Sequence, residues 1–431
     1  MLMKLWEATE DQKNKSNLFK YENFLHKRYK IKFNKNYSKL HDWSIKNPEK
    51  FWNSIWDFSN VKGKKIEKFY KSKELFKNRF FINSKLNFAE NLLSRKDNSK
   101  AITFINENGY KEIRKWNELN LNVGKISFYL KKINIKEKDR VAAYLPNLIE
   151  TVESFLATVS IGAIWSSCSP DFGVNGVIER FAQIKPKVLI LCDRYYYNGK
   201  QINVVDRLKP ILKKIKSIKN VIIINYPGKK HIKFKKNKYV KFEFWKNIKK
   251  LKPKKLEFKR FDFNHELAIL YSSGTTGKPK CICHRSGGVL LQHLKEHQLQ
   301  SEIKENDNVF YFTTCGWMMW NWLISSLSQG ATIVLYDGSP FYLDGKILHK
   351  LAHECDITVF GTSAKYITSL EASNIKPSEI SSFPKLRAIL STGSPLVEEN
   401  YDYVYNYWKK DVQLASISGG TDIISCFALG N

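Results

Sequence analysis

A loop of hydroxyl-bearing residues and glycines near position 275 is the segment best suited to chemistry. It follows residues 267–271, an apolar run that predicts a short buried strand. The loop consists of Ser272, Ser273, Gly274, Thr275, Thr276, Gly277 and Lys278. Its glycines let successive backbone N–H groups point at one anion, and its hydroxyls and lysine add donors and positive charge. The pattern predicts a phosphate-binding loop, with an ordinary Ser/Thr/Gly surface turn as the alternative.

The glycine spacing excludes the G-x-x-x-x-G-K-[ST] loop of many nucleotide-binding proteins. That loop has glycines five residues apart and a hydroxyl after its lysine, whereas Gly274 and Gly277 are three apart and Pro279 follows Lys278. YSSGTTGKPK, residues 271–280, instead resembles the phosphate loop of the adenylate-forming superfamily, which includes acyl-CoA synthetases, adenylation domains of peptide synthetases and luciferases. The resemblance implies that this loop holds the β- and γ-phosphates of ATP.

Two later segments resemble the other nucleotide-binding elements of this superfamily. LRAILSTGSPL, residues 386–396, resembles a strand and the turn that contacts adenine, although many relatives carry Glu in place of Ser394. SGGTD, residues 418–422, resembles the element Tyr-Gly-x-Thr-Glu, whose threonine binds the α-phosphate and whose acid serves Mg²⁺. The residues that the resemblance implies for adenine binding are Gly393, Ser394, Pro395, Ser418, Gly419 and Gly420.

Further segments resemble one branch of the superfamily, the acetyl-CoA and acetoacetyl-CoA synthetases. FFINSKLNFAENLL, residues 80–93, resembles the start of the main domain in that branch. TTCGWMMWN, residues 313–321, and GATIVLYDGSP, residues 330–340, resemble the acetoacetyl-CoA synthetases. The resemblance implies an acyl pocket, with bulky side chains that favour a short acid, at Gly316, Trp317, Met318 and Met319. Taken alone, these tryptophans and methionines are more typical of a packed core.

Together the resemblances imply an AMP-forming acid–thiol ligase that activates acetoacetate with ATP and transfers the acyl group to CoA. ATP and Mg²⁺ are the implied cofactors, and CoA is the cosubstrate. The implied catalytic residues are Thr421, Asp422 and Lys278, with Asp422 as the Mg²⁺ ligand. Attack of a carboxylate on the α-phosphate builds charge on phosphate oxygens, so positioning and hydrogen-bond donors matter more than an acid–base pair. An acetyl- or propionyl-CoA synthetase and an inactive nucleotide-binding fragment are the alternatives.

Three histidines follow the loop. His284 stands where the superfamily carries a histidine that closes the loop strand, which implies that it orients the loop. His293 and His297 are four residues apart on a predicted helix, a spacing that could bind a metal. Glu296 lies beside the second of these histidines, whereas the H-E-x-x-H motif needs a glutamate beside the first. The pattern therefore does not favour a metal site there.

The segments that must position these residues alternate between strand and helix patterns from about residue 100. Strands are predicted at 101–105, 140–146 and 186–192, and helices at 116–130, 148–161 and 174–184. Asn147 is predicted to cap the second of these helices. The alternation predicts an α/β fold with mixed or parallel sheets flanked by helices. The resemblance implies the large N-terminal domain of adenylate-forming enzymes.

Two domains are predicted. Residues 1–99 are expected to form an N-terminal helical cap of the acetyl/acetoacetyl-CoA synthetase type, with an amphipathic helix over residues 40–58. Residues 100–431 are expected to form the AMP-binding (adenylation) domain, incomplete at its C-terminal end because the superfamily's small C-terminal domain is missing. The lysine-rich residues 206–260 are predicted to be a solvated surface excursion around one strand at 221–224.

Composition narrows the range of partners. The 431 residues carry a formal net charge of +31, which could indicate nucleic acid or an anionic membrane, but no recognition motif accompanies it. The most apolar stretch, residues 148–165, contains two glutamates and is a poor membrane span. Seven cysteines without a C-x-x-C pair predict free thiols in a reducing compartment. We expect a soluble cytoplasmic protein whose partners are acetoacetate, ATP and CoA.

Overall fold

Two seven-stranded β-sheets form the centre of the protein, and helices pack around them. The structure is a computed structural model that describes residues 4–74, 77–234, 238–252, 255–272, 277–342 and 344–430. Strands and helices alternate through most of the chain beyond residue 100, so the predicted α/β class is confirmed.

The helices of the described residues are, in chain order, α1 (Glu10–Lys15), α2 (Asn17–Tyr29), α3 (Tyr37–Lys46), α4 (Pro48–Phe58), α5 (Phe88–Leu92), α6 (Trp116–Lys132), α7 (Ile149–Ser160), α8 (Val174–Ile184), α9 (Leu208–Lys214), α10 (Trp245–Ile248), α11 (Ser286–Lys295), α12 (Met318–Ser325), α13 (Ile347–Glu354), α14 (Ala364–Ala372), α15 (Pro377–Ile380) and α16 (Glu398–Tyr407). A π-helical turn, Glu296–Gln300, extends α11.

The strands of the same residues are β1 (Gly63–Lys64), β2 (Lys85–Leu86), β3 (Lys100–Asn106), β4 (Lys111–Lys115), β5 (Arg140–Tyr144), β6 (Ile164–Cys168), β7 (Val188–Cys192), β8 (Arg194–Tyr197), β9 (Lys200–Asn203), β10 (Asn220–Ile224), β11 (Lys241–Phe244), β12 (Phe261–Asp262), β13 (Glu266–Ser272), β14 (Lys280–Arg285), β15 (Asn308–Tyr311), β16 (Thr332–Asp337), β17 (Val359–Ser363), β18 (Ala388–Thr392), β19 (Gln413–Ser416), β20 (Ser418–Gly420) and β21 (Ser425–Ala428).

Each large sheet is parallel except at one edge. The first has the strand order β11-β10-β7-β5-β6-β13-β14, and only its β13–β14 pair is antiparallel among the described strands. The second has the order β19-β18-β17-β15-β16-β3-β4, with β3–β4 as its antiparallel pair. Parallel strands in the interior of a sheet bury both faces, which explains why β5, β7 and β10 read as nearly continuous apolar runs.

The following strands and helices, predicted from local patterns beyond residue 100, are confirmed. The strands predicted near residues 101, 140, 186, 221 and 267 are β3, β5, β7, β10 and β13. The helices predicted near residues 116, 148 and 174 are α6, α7 and α8. Local patterns predict these elements because the strands contain short apolar runs and the helices repeat apolar residues every three or four positions.

The single helix predicted over residues 40–58 is wrong, because the chain forms two helices there. α3 ends at Lys46 and α4 begins at Pro48, with Asn47 between them. Proline lacks a backbone N–H and its ring clashes with a preceding helical turn, so it fits only the first turn of a new helix. α4 buries Trp56, whose ring centroid lies 5.0 Å from that of Phe81. That contact packs the N-terminal helices against the segment that leads into the sheets.

The cap predicted for Asn147 is also wrong. Leu148 occupies the N-cap position of α7, and no side chain caps that helix. The buried side chain of Asn147 instead donates from Nδ2 to the carbonyl oxygens of Thr313 and Tyr336, each at 3.4 Å, and accepts a hydrogen bond of 2.9 Å from Trp320 Nε1–H. Tyr336 belongs to β16 and Thr313 follows β15, so Asn147 joins the loop after β5 of the first sheet to the second sheet.

The prediction for residues 206–260 is wrong in part. Besides β10, the segment contains α9, α10 and β11, and β11 pairs in parallel with β10 at the edge of the first sheet. Lysine and glutamate alternate with phenylalanine along β11, which is typical of a strand with one covered face. The rings of Phe242 and Phe244 pack against Phe234 at centroid distances of 5.7 and 6.4 Å.

Helix α7 is buried along its whole length, including Glu150 and Glu153. The Glu153 carboxylate accepts a hydrogen bond of 2.7 Å from Asn122 Nδ2 and lies 2.9 Å from Arg114 Nε. Burial raises the pKa of Glu153 to about 7, although the Arg114 charge opposes that shift. The two glutamates thus belong to the protein interior. Within the described ranges, no helix combines the length and the apolar character needed to cross a bilayer.

We predict that Asn147→Ala destabilises the protein by about 1–3 kcal/mol, because it leaves the buried Trp320 N–H without an acceptor and removes the link between the sheets. Urea unfolding at constant m-value measures the change. Asn117→Ala is the control, since the Asn117 amide bonds Asn98 at the exposed surface, and it should shift stability by less than about 0.5 kcal/mol. Equal losses in both variants would contradict the bridging role of Asn147.

Candidate functional site

A cavity of about 740 Å³ lies at the carboxyl ends of neighbouring parallel strands in the second sheet. Four strands end at its wall: β15, β17, β18 and β19 contribute Tyr311, Ser363, Thr392 and Ser416. The carboxyl ends of parallel strands meet at one edge of a sheet, which is where open α/β sheets bind ligands. The volume is in the range of small-molecule sites. The full lining is Tyr311, Phe312, Thr313, Trp317, Met318, Met319, Thr362, Ser363, Thr392, Gly393, Ser394, Pro395, Ser416, Ile417, Ser418, Gly419, Gly420, Thr421 and Cys426.

Every residue predicted to contact adenine lines this cavity. They are Gly393, Ser394, Pro395, Ser418, Gly419 and Gly420. Gly393 has φ +95°, a conformation that residues with a side chain rarely adopt, so the turn after β18 depends on glycine. The two segments lie side by side because Ile417 N donates to Ser391 O at 2.6 Å. The tertiary structure thus joins two turns that are 25 residues apart in the chain, measured from Gly393 to Ser418.

Three of the four residues predicted for the acyl pocket line the same cavity. Met318 and Met319 begin α12 and are 7% and 6% exposed, whereas Trp317 precedes the helix and is 60% exposed. Gly316 is not part of the lining. An added Cβ at Gly316 would lie 3.3 Å from both Ser169 N and the ring of Phe172, so this glycine packs against the loop after β6.

The phosphate loop is described only at its ends. Ser273, Gly274, Thr275 and Thr276 lie outside the described residues. Ser272 ends β13 and pairs in register with Lys280 of β14, so the loop connects two antiparallel strands. Gly277 and Lys278 are exposed, and neither they nor Ser272 line the cavity. Gln183 Nε2 donates to the Pro279 carbonyl at 2.9 Å and ties the returning strand to α8.

The turn that carries Thr421 is held by His284 of β14. Thr421 lines the cavity, and its carbonyl accepts a hydrogen bond of 2.8 Å from His284 Nε2–H. Burial lowers the pKa of His284 to about 4, although the bond to Thr421 opposes the shift, so the ring donates in its neutral form at pH 7. This bond joins the strand that leaves the phosphate loop to the segment predicted to contact the α-phosphate.

The carboxylate of Asp422 is exposed beside Thr421 and does not line the cavity. In the part of the chain that the structure describes, no group of three or more His, Cys, Asp or Glu side chains could hold a metal. Mg²⁺ usually keeps several waters and binds one or two carboxylates together with substrate phosphates. One exposed carboxylate at the edge of the cavity fits that mode of binding and not an all-protein cage.

The pair His293 and His297 is buried in the protein interior. Each ring nitrogen of His293 has a protein partner: Ser325 Oγ lies 2.8 Å from Nδ1, and the Ile424 carbonyl lies 2.7 Å from Nε2. The ring of His297 packs at 4.3 Å against the ring of Trp322. The geometry gives His293 a structural role at the turn after Thr421.

Nine lining residues were not predicted: Tyr311, Phe312, Thr313, Thr362, Ser363, Thr392, Ser416, Ile417 and Cys426. Most of them follow or end apolar strand patterns, as in VFGTS of β17 and AILST of β18. A hydroxyl at the end of a buried strand is a signal that could have found Ser363, Thr392 and Ser416. Strand order, which local patterns do not specify, brings these ends together.

Comparisons with known proteins agree with this geometry. Residues 92–428 match the family model described as AMP-binding enzyme. The chain is 45% identical over 398 residues to the acetoacetyl-coenzyme A synthetase of Rhizobium meliloti (strain 1021), covering 92% of this chain and 60% of that protein. It is 44% identical over 400 residues to the acetoacetyl-CoA synthetase of Gallus gallus, with 91% and 60% covered.

A solved structure, the acetoacetyl-CoA synthetase from Streptomyces lividans, superimposes with a TM-score of 0.91 at 30% identity. The superposition covers 100% of this chain and 66% of the other. The chain therefore spans about 60% of the length of the curated relatives that it matches.

We predict that the buried histidines reduce stability as the pH is lowered from 6.5 towards 4, whereas the raised pKa of Glu153 acts in the opposite direction. Burial lowers the pKa of His284 to about 4 and that of His349 to about 3, and it lowers the pKa of His293 and His297 in the same direction. In this range the unfolded chain binds protons that the folded protein does not, so each histidine removes up to about 1.4 kcal/mol per pH unit. Urea unfolding at a series of pH values measures the slope.

A single variant tests how much His284 contributes to the slope of stability against pH. His284→Gln keeps an N–H donor near the Thr421 carbonyl but removes one titrating group, so the stability–pH slope between pH 6.5 and 4 should decrease by about one proton. His41→Gln, at an exposed position, should leave the slope unchanged. A slope that is the same in all three proteins would contradict the prediction.

Proposed function

The chain belongs to the AMP-binding enzyme family, and from this premise we propose that it activates acetoacetate with ATP and joins it to CoA. The proposed first step forms acetoacetyl-AMP and pyrophosphate, and the second forms acetoacetyl-CoA and AMP. The acid is proposed because relatives from Rhizobium meliloti and Gallus gallus carry the name acetoacetyl-CoA synthetase. Because the chain spans only part of those proteins, the complete reaction is proposed and not assigned.

One observation carries the proposal. The segments predicted to bind adenine and the α-phosphate, and three of the four residues predicted to bind the acyl group, face one cavity of about 740 Å³. An adenylating enzyme must hold the carboxylate of its acid within reach of the α-phosphate, and holding two reactants in such an arrangement removes much of the entropic barrier. A shared cavity supports this chemistry better than two separate sites would.

In the proposed adenylation step, an acetoacetate oxygen forms a bond to the α-phosphorus, and the bond from that phosphorus to the bridging oxygen of pyrophosphate breaks. Pyrophosphate leaves with the electron pair. The hydroxyl of Thr421 donates a hydrogen bond to an α-phosphate oxygen as charge develops there. Residues 272–278 hold the leaving phosphates through N–H groups, hydroxyls and Lys278. Bound Mg²⁺, held by Asp422 and the phosphates, would supply positive charge to those oxygens.

In the proposed second step the CoA sulfur attacks the acyl carbon, and AMP leaves with the electron pair of the broken carbon–oxygen bond. Two segments that line the cavity, residues 393–395 and 418–420, are proposed to hold the adenine during this step. Met318 and Met319 are proposed to limit the length of the acid, because both are almost fully buried in the cavity wall.

Two further statements stay predictions. One is the division into a cap, residues 1–99, and an adenylation domain, residues 100–431. The other is the cytoplasmic location.

The deciding experiment is acetoacetate-dependent exchange of labelled pyrophosphate into ATP with Mg²⁺. We expect Thr421→Val to lower the exchange rate about 10- to 100-fold, because a hydrogen bond to a charged group is worth about 1.5–3 kcal/mol. Thr332→Val is the matched control, since Thr332 begins β16 at the end of the sheet opposite the cavity. Equal rates in the two variants would contradict the role of Thr421.

The same assay separates the alternatives. Exchange with acetate or propionate but not with acetoacetate would identify an acetyl- or propionyl-CoA synthetase. Binding of AMP without exchange would indicate a nucleotide-binding protein that does not catalyse the reaction. With neither binding nor exchange, the proposed function fails.

The size of the acid is tested by Met319→Ala. Removing the side chain enlarges the cavity, and since a methylene in an apolar pocket is worth about 1–3 kcal/mol, the preference for acetoacetate over hexanoate should fall roughly 10-fold. Leu323→Ala on the same helix is the control, because Leu323 is buried but does not line the cavity. The two exchange rates are compared for each variant, and an unchanged ratio in Met319→Ala would contradict the acyl-pocket role.

A further inference from the structure

The turn formed by residues 421–426 is attached to helix α11 and its π-helical turn by buried polar contacts. Thr421 and Cys426, the two ends of the turn, both line the cavity. Between them the chain makes no regular strand or helix until β21 begins at Ser425. β20 and β21 pair antiparallel on either side of the turn, with Gly420 opposite Ser425 and Gly419 opposite Cys426. Between these strands Ile424 N donates to Thr421 O at 3.3 Å. The position of this hairpin turn is then set by its contacts with other elements.

Glu296 makes several of these contacts with its carboxyl group. Its Oε1 accepts hydrogen bonds from Ser425 Oγ–H at 2.5 Å, from Cys426 N–H at 3.1 Å and from Gln292 Nε2 at 2.9 Å. Its Oε2 accepts from Trp322 Nε1–H at 2.9 Å. Glu296 has no exposed surface. All four of these partners are donors, so the two oxygens of Glu296 act as acceptors in every one of these contacts.

His293 holds the middle of the same turn. Its Nε2–H donates to the Ile424 carbonyl at 2.7 Å, and Nδ1 lies 2.8 Å from the Ser325 hydroxyl. Ile424 has φ +50°, a left-handed conformation that a β-branched residue seldom adopts. Such a conformation persists only where the surrounding structure enforces it, and strained residues concentrate at functional sites.

The contacts of His293 and Glu296 come from successive helical turns. His293 belongs to α11, whereas Glu296 begins the π-helical turn that follows it. Single π-helical turns occur frequently at functional sites. Here both side chains are directed at the turn and at α12, through Ser325 and Trp322.

We propose that Glu296, assisted by His293, is a positioning residue that holds residues 421–426 so that Thr421 faces the cavity. The role in nucleotide binding rests on the proposed function. The role in ordering the turn does not, because it follows from the hydrogen bonds alone. Glutamate is required, since an amide at this position would turn an N–H group towards at least one of the four donors.

The test compares Glu296→Gln with the unaltered full chain by amide hydrogen exchange and by calorimetric titration with AMP. Exchange in peptides that span residues 418–428 should become at least about 10-fold faster, and AMP affinity should fall about 10-fold. Glu153→Gln is the matched control, because Glu153 is also a fully buried carboxylate but contacts Asn122 and Arg114. It should lower overall stability without changing exchange in residues 418–428 or AMP affinity.

The outcomes separate the two roles. Unchanged exchange in residues 418–428 of folded Glu296→Gln would overturn the proposal, and so would equal changes in both variants. If the unaltered protein binds no AMP, the nucleotide part of the proposed function fails, while the exchange data still decide whether Glu296 orders the turn. If Glu296→Gln does not fold, Ser425→Ala, which removes the hydroxyl shared by Glu296 and Gln292, is judged by the same two measurements.

Discussion

The buried amide of Asn147 connects the two sheets, and the cavity depends on where that connection holds them. A polar side chain without partners is costly in the interior, so the amide must stay close to the Trp320 indole and to carbonyls beside β15 and β16. Trp320 lies on α12, the helix that begins with the two methionines of the cavity wall. A contact between the sheets thereby also orients the helix that supplies one side of the cavity.

Buried carboxylates join other parts of the fold in the same way. Glu107, at the end of β3, accepts hydrogen bonds from the backbone N–H groups of Asn198, Gly199 and Ser339 at 2.8 to 2.9 Å. Glu153 joins α6 to α7, and Glu296 joins α11 to β21. Each carboxyl group accepts hydrogen bonds from segments that are distant in sequence, which is the condition for burying a polar group at acceptable cost.

Two layers of residues form the site: the cavity wall, and the buried residues that hold the wall in place. The wall is made of turns and strand ends with small or hydroxyl-bearing residues, such as Gly393 and Thr421. The residues behind it, including His284 and Glu296, are buried and hold the wall through hydrogen bonds. The turn between β20 and β21 lies outside the backbone ladder of those strands, so side chains of this second layer fix its position.

The sequence by itself determined the α/β class, most strands and helices from residue 100 onward, and the segments that could bind a nucleotide, because periodicity and turn residues are local properties. It also contained the signal at Pro48 that ends one helix and begins another. Only the tertiary structure decided that Asn147 bridges sheets, that Gly316 lies outside the cavity lining, and that Ser363, Thr392 and Ser416 meet there. Strand order and the packing of helices bring together residues that are far apart in the chain, and no local pattern encodes those distances.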